Sequence, residues 1–405
     1  MAETLQNWMR QGVYRVLDYH HADSDGELID WDSLDKEFIK LFGKKNSKTV
    51  RIAVLDTPVI AQGYLGANDK LQHAAREFFP ATIRRENLGA HGTFVAGRAG
   101  WGTPAIRILD VPIGYHHGSA THNMRDVYDA IVYAIEEEKV SIICCSVTLN
   151  FAASFQVGEQ STTLSQLLAA HPDILFVMTS GNNHGPILPG DEQESNLCRG
   201  RRYAPKLDHV LCVGGCTRRG QLHWQSMYGE IDVWAPSGYF PQFRPSNADI
   251  HGGGAPKDTR SGTMNRVILS EVDEFNATNI VPYQDDEAIN YVMDSGVSFA
   301  VPMVANVAAK IKLLQPKANA KKIAQIIRKT SRTTHEGIDF KASLFNPTTG
   351  RPLSRTGSTQ VKMLDPAAAY KTAKKSNNVV IGIAITAILF LAAGGIIYKK
   401  EKDKN

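Results

Sequence analysis

The sequence predicts an α/β protein with a mostly parallel central sheet, and two patterns carry this prediction. Apolar runs of four to six residues have the character of strands buried on both faces of a parallel sheet; they occupy residues 51–55, 142–147, 174–178 and 210–215. Runs of small residues at 93–97 and 299–309 have the spacing of helices that pack closely against a sheet. The length of 405 residues and the hydrophobic content of 43% suit one large α/β core with an appendage.

The first predicted strand, residues 51–55, leads directly into an acidic residue, Asp56. Active sites of open α/β sheets lie at the carboxyl ends of the strands, so this carboxylate is placed to orient an imidazole. His91 can supply that imidazole. Because His91 is followed by Gly92 and the first small-residue run, we expect a helix to begin at the site.

Two further polar residues would complete a hydrolytic site. Ser298 precedes the second small-residue run, so we expect its hydroxyl at a helix start, where the helix dipole favours negative charge. Asn182 lies just beyond the strand predicted at 174–178, where its amide could donate to an oxyanion. The chain order Asp56, His91, Ser298 is one of the three known orders of the acid–base–nucleophile triad.

Each of these residues, taken alone, has a plain structural explanation. An Asp at a strand end commonly stabilises a turn, a single His is commonly a satisfied core or surface group, and a Ser before a helix is commonly its N-cap. The joint occurrence of all three with Asn182 and with the flanking strands favours the catalytic interpretation.

These motifs resemble those of the subtilisin-like serine proteases, and the resemblance covers residues 48–373. It implies a subtilisin-like fold with helices on both faces of the sheet, and a serine endopeptidase that works through an acyl-enzyme. In that scheme Asp56 orients His91, His91 is the general base, Ser298 is the nucleophile, and Asn182 with the Ser298 N–H holds the oxyanion. The chemistry requires no metal or other cofactor. Further matching segments are residues 142–147, 203–205, 210–215, 231–238 and 363–369.

The resemblance also implies where a peptide or protein substrate binds. Four residues at two strand ends would line the cleft: Ser146, Val147, Ser180 and Gly181. Arg202 would lie at the floor of the primary specificity pocket, where a guanidinium favours a carboxylate. This suggests cleavage after Asp or Glu. The alternative is that the basic run 199–202 is a solvated loop.

The chain departs from the family pattern at three places near the site. Pro58 stands where the family usually has Gly, Val297 where it usually has Thr, and Phe94 where it usually has a second His. None of these changes removes a triad atom. They leave open a second function, in which a catalytically impaired subtilase-fold protein acts as a membrane-tethered binding module.

A segment outside the α/β core is predicted at the C-terminus. Residues 379–398 form an uncharged, largely apolar stretch, which at ~1.5 Å per residue would span the ~30 Å hydrocarbon core of a bilayer, and residues 399–405 form a short basic tail. Lysines on both sides give no bias in orientation. The first ten residues lack a secretory apolar core, and five cysteines, two of them adjacent, are typical of reduced thiols. We therefore expect a single-pass protein with a C-terminal anchor and a cytosolic catalytic domain.

Two other segments stand apart from the predicted catalytic domain. Residues 1–47 have the periodicity of two helices, and the loop 21–32 between them partly matches a calcium-binding EF-hand. The alternative is an acidic helix–loop–helix that binds no metal. Structural calcium is therefore possible but lacks support. Residues 239–290 form a long insertion that could gate the cleft or be passive. The net charge of +4 is small and does not indicate binding of nucleic acid.

Overall fold

The computed structural model describes residues 38, 40–42, 48–59, 65, 70–81, 91–101, 104–113, 124–149, 154–182, 186–187, 207–216, 222–223, 226–237, 296–345 and 352–375. The strands are β1 (Val50–Asp56), β2 (Leu71–His73), β3 (Ile106–Pro112), β4 (Ile142–Cys145), β5 (Ser154–Val157), β6 (Gln160–Thr163), β7 (Leu175–Thr179), β8 (Pro186–Ile187), β9 (Val210–Cys216), β10 (Tyr228–Gly229), β11 (Val233–Pro236), β12 (Arg332–Phe345) and β13 (Pro352–Met363).

The helices are α1 (His91–Ala99), α2 (Met124–Val132), α3 (Leu164–Ala170), α4 (Ala300–Leu314), α5 (Ala320–Thr330) and α6, residues 366–375. A π-helical turn, Tyr133–Glu137, extends α2, and a 3₁₀ turn, Val297–Phe299, leads into α4.

Nine of the described strands form one sheet in the order β12-β13-β11-β9-β7-β4-β1-β3-β2. Every neighbouring pair is parallel except the β12–β13 hairpin. The chain adds β3 and β2 on one side of β1 and then β4, β7, β9 and β11 on the other, so the direction of winding changes at β1. The carboxyl end of β1 is therefore at the switch point where ligands of open α/β sheets bind. The predicted mostly parallel α/β fold is confirmed.

The alternation of side chains along β1 explains why the sheet carries helices on both faces. Ile52 and Val54 pack on one face, and Ala53 and Leu55 on the other, and all four are fully buried. The first face is covered by α1, α4 and α5, and the second by α2 and α3. A strand buried on both sides needs an unbroken apolar run, which is what residues 52–55 provide.

The helix α4 lies in the core of the domain. Within the described residues, Val297–Leu314 is the one apolar helix long enough to cross a membrane, but 94% of it is buried inside the protein. Pro302 is tolerated because it lies in the first turn of α4, where a backbone N–H would have no intrahelical partner. The membrane span predicted at 379–398 lies outside the described residues, as do the loop at 21–32 and the insertion at 239–290.

Several elements differ from the sequence-based expectation. The strand predicted at 142–147 ends at Cys145, so Ser146 and Val147 lie beyond it. The long β12–β13 hairpin and the short β5–β6 hairpin were not predicted, although residues 338–344 alternate between apolar and polar, which is a signal of a strand. Asp365 caps α6 through an Oδ1 that accepts from the Ala368 N–H at 2.9 Å.

A short part of the N-terminal extension packs into the core. The ring of Phe38 is 1% exposed and makes an edge contact with Tyr370 of α6, with ring centroids 4.8 Å apart. The Nζ of Lys310, on α4, lies 5.5 Å from the centre of the same ring. Phe38 therefore joins the N-terminal segment to two helices near the end of the domain.

We expect Phe38→Ala to lower the free energy of unfolding by about 3–5 kcal/mol, because it removes a buried aromatic ring and leaves a cavity. Leu41→Ala is the matched control: Leu41 belongs to the same segment but is 50% exposed. Its replacement should change stability by less than about 0.5 kcal/mol. Chemical denaturation of both variants measures the difference, and similar losses would contradict the assigned packing.

A buried histidine gives the domain a predictable acid sensitivity. His223 is fully buried, and burial lowers its pKa to about 3. The unfolded chain takes up this proton near pH 6.5 and the folded chain does not, so stability is fully present above that pH and falls below it. The loss should approach ~1.4 kcal/mol per pH unit between pH 6 and 3. Denaturation curves should show a shallower pH dependence for His223→Gln; identical slopes would refute the assignment.

Candidate active site

The structure brings Asp56 and His91 into direct contact. Asp56 is the last residue of β1 and is fully buried, while His91 is the first residue of α1. The His91 Nδ1–H donates to Asp56 Oδ1 at 2.6 Å, and the Thr57 N–H donates to the same oxygen at 2.7 Å. Within the described part of the chain, Asp56 Oδ2 has no hydrogen-bond partner. The imidazole is thus held through its Nδ1–H by a carboxylate that is shielded from water.

Thr57 and Gly92 set the distance between β1 and α1. The Gly92 N–H donates to Thr57 Oγ1 at 2.7 Å, which ties the first turn of α1 to the residue after Asp56. A Cβ on Gly92 would lie 1.8 Å from the Thr57 carbonyl oxygen, so only glycine allows this approach. Sequence reasoning gave Thr57 no role. Pro58 does not interrupt these contacts, since they are made by its two preceding residues.

A buried polar residue on α4 fixes α4 relative to α1. Asn306 Nδ2 donates to the carbonyls of Ala99 and Trp101, at 2.9 and 2.8 Å. These carbonyls lie at the C-terminal end of α1, where they have no intrahelical donor. Sequence reasoning missed Asn306, although an amide in an otherwise apolar helical run is a signal of such a contact.

Ser298 lies in the 3₁₀ turn before α4 and is 8% exposed. The ring of its neighbour Phe299 lies 5.6 Å from the imidazole of His91, measured between centroids. The Ser298 hydroxyl donates to the Ser146 carbonyl at 3.0 Å, and the Ser146 hydroxyl donates to the Ser298 carbonyl at 2.7 Å. In this structure the serine hydroxyl is therefore hydrogen-bonded to the end of β4 and not to the imidazole.

Asn182 is anchored to the same turn. Its Oδ1 accepts from the Val297 N–H at 2.9 Å, which leaves its Nδ2 group as the half of the amide that can donate elsewhere. Gly181 has a φ of 97°, a left-handed conformation that favours glycine and directs the chain from β7 to Asn182. Val297 contributes its main chain to this contact, so the absence of Thr at this position costs no hydrogen bond here.

The remaining predicted cleft residues are partly described. Ser180 is 1% exposed, and its Oγ has no hydrogen-bond partner within the described ranges. Val147 is half-buried beyond β4, two residues from the β4 ladder. Arg202 lies outside the described residues, so its predicted place at the pocket floor stays a prediction.

Two thiols close to the site are poor nucleophiles. Burial raises the pKa of Cys145 to about 12, and burial, with Cys145 and Asp56 as smaller causes, raises the pKa of Cys144 well above its ordinary value. Because the thiolate is the reactive form, neither thiol competes with a serine hydroxyl at neutral pH. The four described cysteines, Cys144, Cys145, Cys212 and Cys216, are buried and form no disulfide with one another.

Comparison with known proteins agrees with this architecture. The model of the subtilase family matches residues 47–360. A lanthipeptide protease is 16% identical with a TM-score of 0.55, over 83% of this chain and 92% of that chain. A protease from Pseudoalteromonas arctica is 20% identical with a TM-score of 0.51, over 80% and 90% of the two chains. The prenylagaramide maturation protease PagA is 18% identical with a TM-score of 0.51, over 84% and 98%. No curated protein matches the chain.

The fold and the family match define a serine endopeptidase. The match covers most of the chain, and the sheet is mostly parallel, as the sequence predicted. The chain belongs to the subtilase family.

Proposed function

We propose that Asp56, His91 and Ser298 form the catalytic triad of this endopeptidase. The observation that carries the proposal is the 2.6 Å contact between the buried Asp56 carboxylate and His91 Nδ1, because it leaves Nε2 as the basic nitrogen of the imidazole. Ser298, on the turn whose Phe299 ring lies beside the imidazole, is the nucleophile.

The proposed mechanism uses each group in turn. His91 Nε2 takes the Ser298 proton as Oγ attacks the peptide carbonyl, and Asp56 stabilises the resulting imidazolium. Asn182 Nδ2 and the Ser298 N–H donate to the tetrahedral oxyanion. His91 then protonates the leaving amine and activates water to hydrolyse the acyl-enzyme.

Hydrolysis of a quenched peptide library by the purified chain tests this proposal. Wild type should cleave the library and Ser298→Ala should not, although both should unfold at similar temperatures. A wild-type protein that folds but leaves every peptide intact would instead support the impaired, membrane-tethered binding module.

We extend the proposal to substrate preference, with Arg202 favouring Asp or Glu before the scissile bond. The support is chemical, since a guanidinium pairs with a carboxylate in a bidentate manner. Matched peptides ending in Asp, Glu, Ala, Phe or Lys at that position give the test. Acidic peptides should have the highest kcat/KM, and Arg202→Gln should remove their advantage; equal rates for Asp and Ala peptides would refute the preference.

We also propose that residues 379–398 anchor the protease to a bilayer, with the catalytic domain on the cytosolic side. The support is the uncharged length of this segment, enough for one crossing. Full-length protein should sediment with liposomes and resist extraction at high pH, whereas a chain ending at residue 375 should not. Release of the full-length protein by alkaline carbonate would contradict an integral anchor.

A further inference from the structure

The end of β4 and the turn before α4 are joined by two reciprocal hydrogen bonds. The Ser146 hydroxyl donates to the Ser298 carbonyl at 2.7 Å, and the Ser298 hydroxyl donates to the Ser146 carbonyl at 3.0 Å. Both residues are buried, with 2% and 8% of their surface exposed. Each serine thus donates a hydrogen bond from its hydroxyl to the carbonyl of the other.

Ser146 can make these contacts because the sheet ends just before it. Cys145 is the last residue of β4 in the ladder and pairs with Leu55 and Met178. Ser146 lies one residue further on, so its carbonyl is not used by a neighbouring strand. A buried carbonyl without a ladder partner requires another donor, and the Ser298 hydroxyl supplies it.

We propose that Ser146 is a positioning residue for the nucleophile, an inference that rests on the proposed role of Ser298. The Ser146 hydroxyl fixes the main chain of Ser298, and the Ser146 carbonyl holds the Ser298 hydroxyl in a resting rotamer. Catalysis then begins with rotation about the Cα–Cβ bond of Ser298, which takes Oγ from the carbonyl towards His91. The rotation exchanges hydrogen bonds only, and the main chain stays in place because the Ser146 hydroxyl does not move.

This role differs from the cleft-lining one that the family resemblance implies for Ser146. A side chain that is 2% exposed and already donates to Ser298 acts on substrate through the nucleophile. The two roles predict different kinetics. A positioning residue affects every reaction of Ser298 equally, whereas a cleft-lining residue affects the binding of long peptides.

The test measures how fast a small fluorophosphonate labels Ser298 in the full chain, together with kcat and KM for a long peptide. In labelling, the Oγ–P bond forms, the P–F bond breaks, fluoride leaves and His91 accepts the proton. We expect Ser146→Ala to slow labelling by about tenfold and to lower kcat by the same factor with KM unchanged, since a loosened nucleophile is misplaced. Ser146→Cys, which keeps a weak donor, should give intermediate values.

Three outcomes separate the possibilities. If Ser146→Ala is labelled as fast as the wild type and its KM is raised, the positioning role is overturned and the proposed triad stays intact. If Ser146→Ala fails to fold, Ser146→Cys decides: slower labelling at unchanged KM supports the role, and wild-type labelling overturns it. Failure of the wild type itself to label, or labelling of Ser298→Ala, would instead count against the proposed function.

Discussion

Replacing Asp56 with Asn is expected to lower kcat by about 10⁴-fold, with little change in KM or in the thermal midpoint. The Asp56 Oδ1 accepts the His91 Nδ1–H at 2.6 Å and fixes the tautomer in which Nε2 is the base. An amide in the same place can donate to Nδ1 and so favours the tautomer whose Nε2 carries the proton. That imidazole cannot accept the Ser298 proton. Steady-state kinetics on one peptide measure the effect.

A neighbouring strand supplies the matched control for this change. Asp110, on β3, is also fully buried and its Oδ2 accepts from His73 Nδ1 at 2.8 Å. Asp110→Asn alters a similar pair, a buried carboxylate bonded to an exposed imidazole, that has no part in the proposed chemistry, so kcat should stay within about threefold of wild type. A comparable loss in both variants would show that the effect of Asp56→Asn is on folding and not on the tautomer.

Gly92→Ala is expected to lower kcat by at least about 100-fold and to destabilise the fold by about 1–3 kcal/mol. The new Cβ would lie 1.8 Å from the Thr57 carbonyl oxygen, which is backbone and cannot rotate away. The start of α1 must therefore move, and His91 moves with it away from Asp56. Kinetics and thermal unfolding measured on the same preparation give both values.

Gly100→Ala, just beyond the other end of α1, controls for the loss of a glycine. Its Cβ would lie 3.2 Å from Ile108 Cγ1 and 3.4 Å from the Ala96 carbonyl oxygen, so its neighbours need to move by no more than a few tenths of an ångström. This variant should retain kcat within about threefold of wild type. If Gly92→Ala behaved in the same way, the close approach of α1 to β1 would not be needed for catalysis.

Much of the fold could be predicted because its central strands and helices are marked by local patterns in the sequence. The run at 52–55 is apolar at every position, so a two-sided parallel strand was expected there, and β1 has that environment. The small-residue run after Ser298 predicted a helix in close contact with the sheet, and α4 is that helix. The β12–β13 hairpin was missed although residues 338–344 alternate between apolar and polar, because it lies at the edge of the sheet and lacks the unbroken apolar run that marks the central strands.

Candidate site residues could be selected from the sequence for the same reason. Asp56, His91 and Asn182 lie at strand or helix ends, which the sequence marks with an abrupt change from apolar to polar residues. The reciprocal bonds of Ser146 and Ser298 could not be predicted, because they join residues far apart in sequence whose separation is set by packing of α4 on β4. The clash that requires Gly92 likewise depends on the distance between β1 and α1.

The most direct test of the central claim is mass spectrometry of the full chain after reaction with a fluorophosphonate, followed by peptide mapping. The account predicts one adduct per chain, located on Ser298, with labelling strongly reduced in both His91→Ala and Asp56→Asn. No adduct on the folded wild-type protein, or an adduct on another residue, would contradict the assignment of this triad.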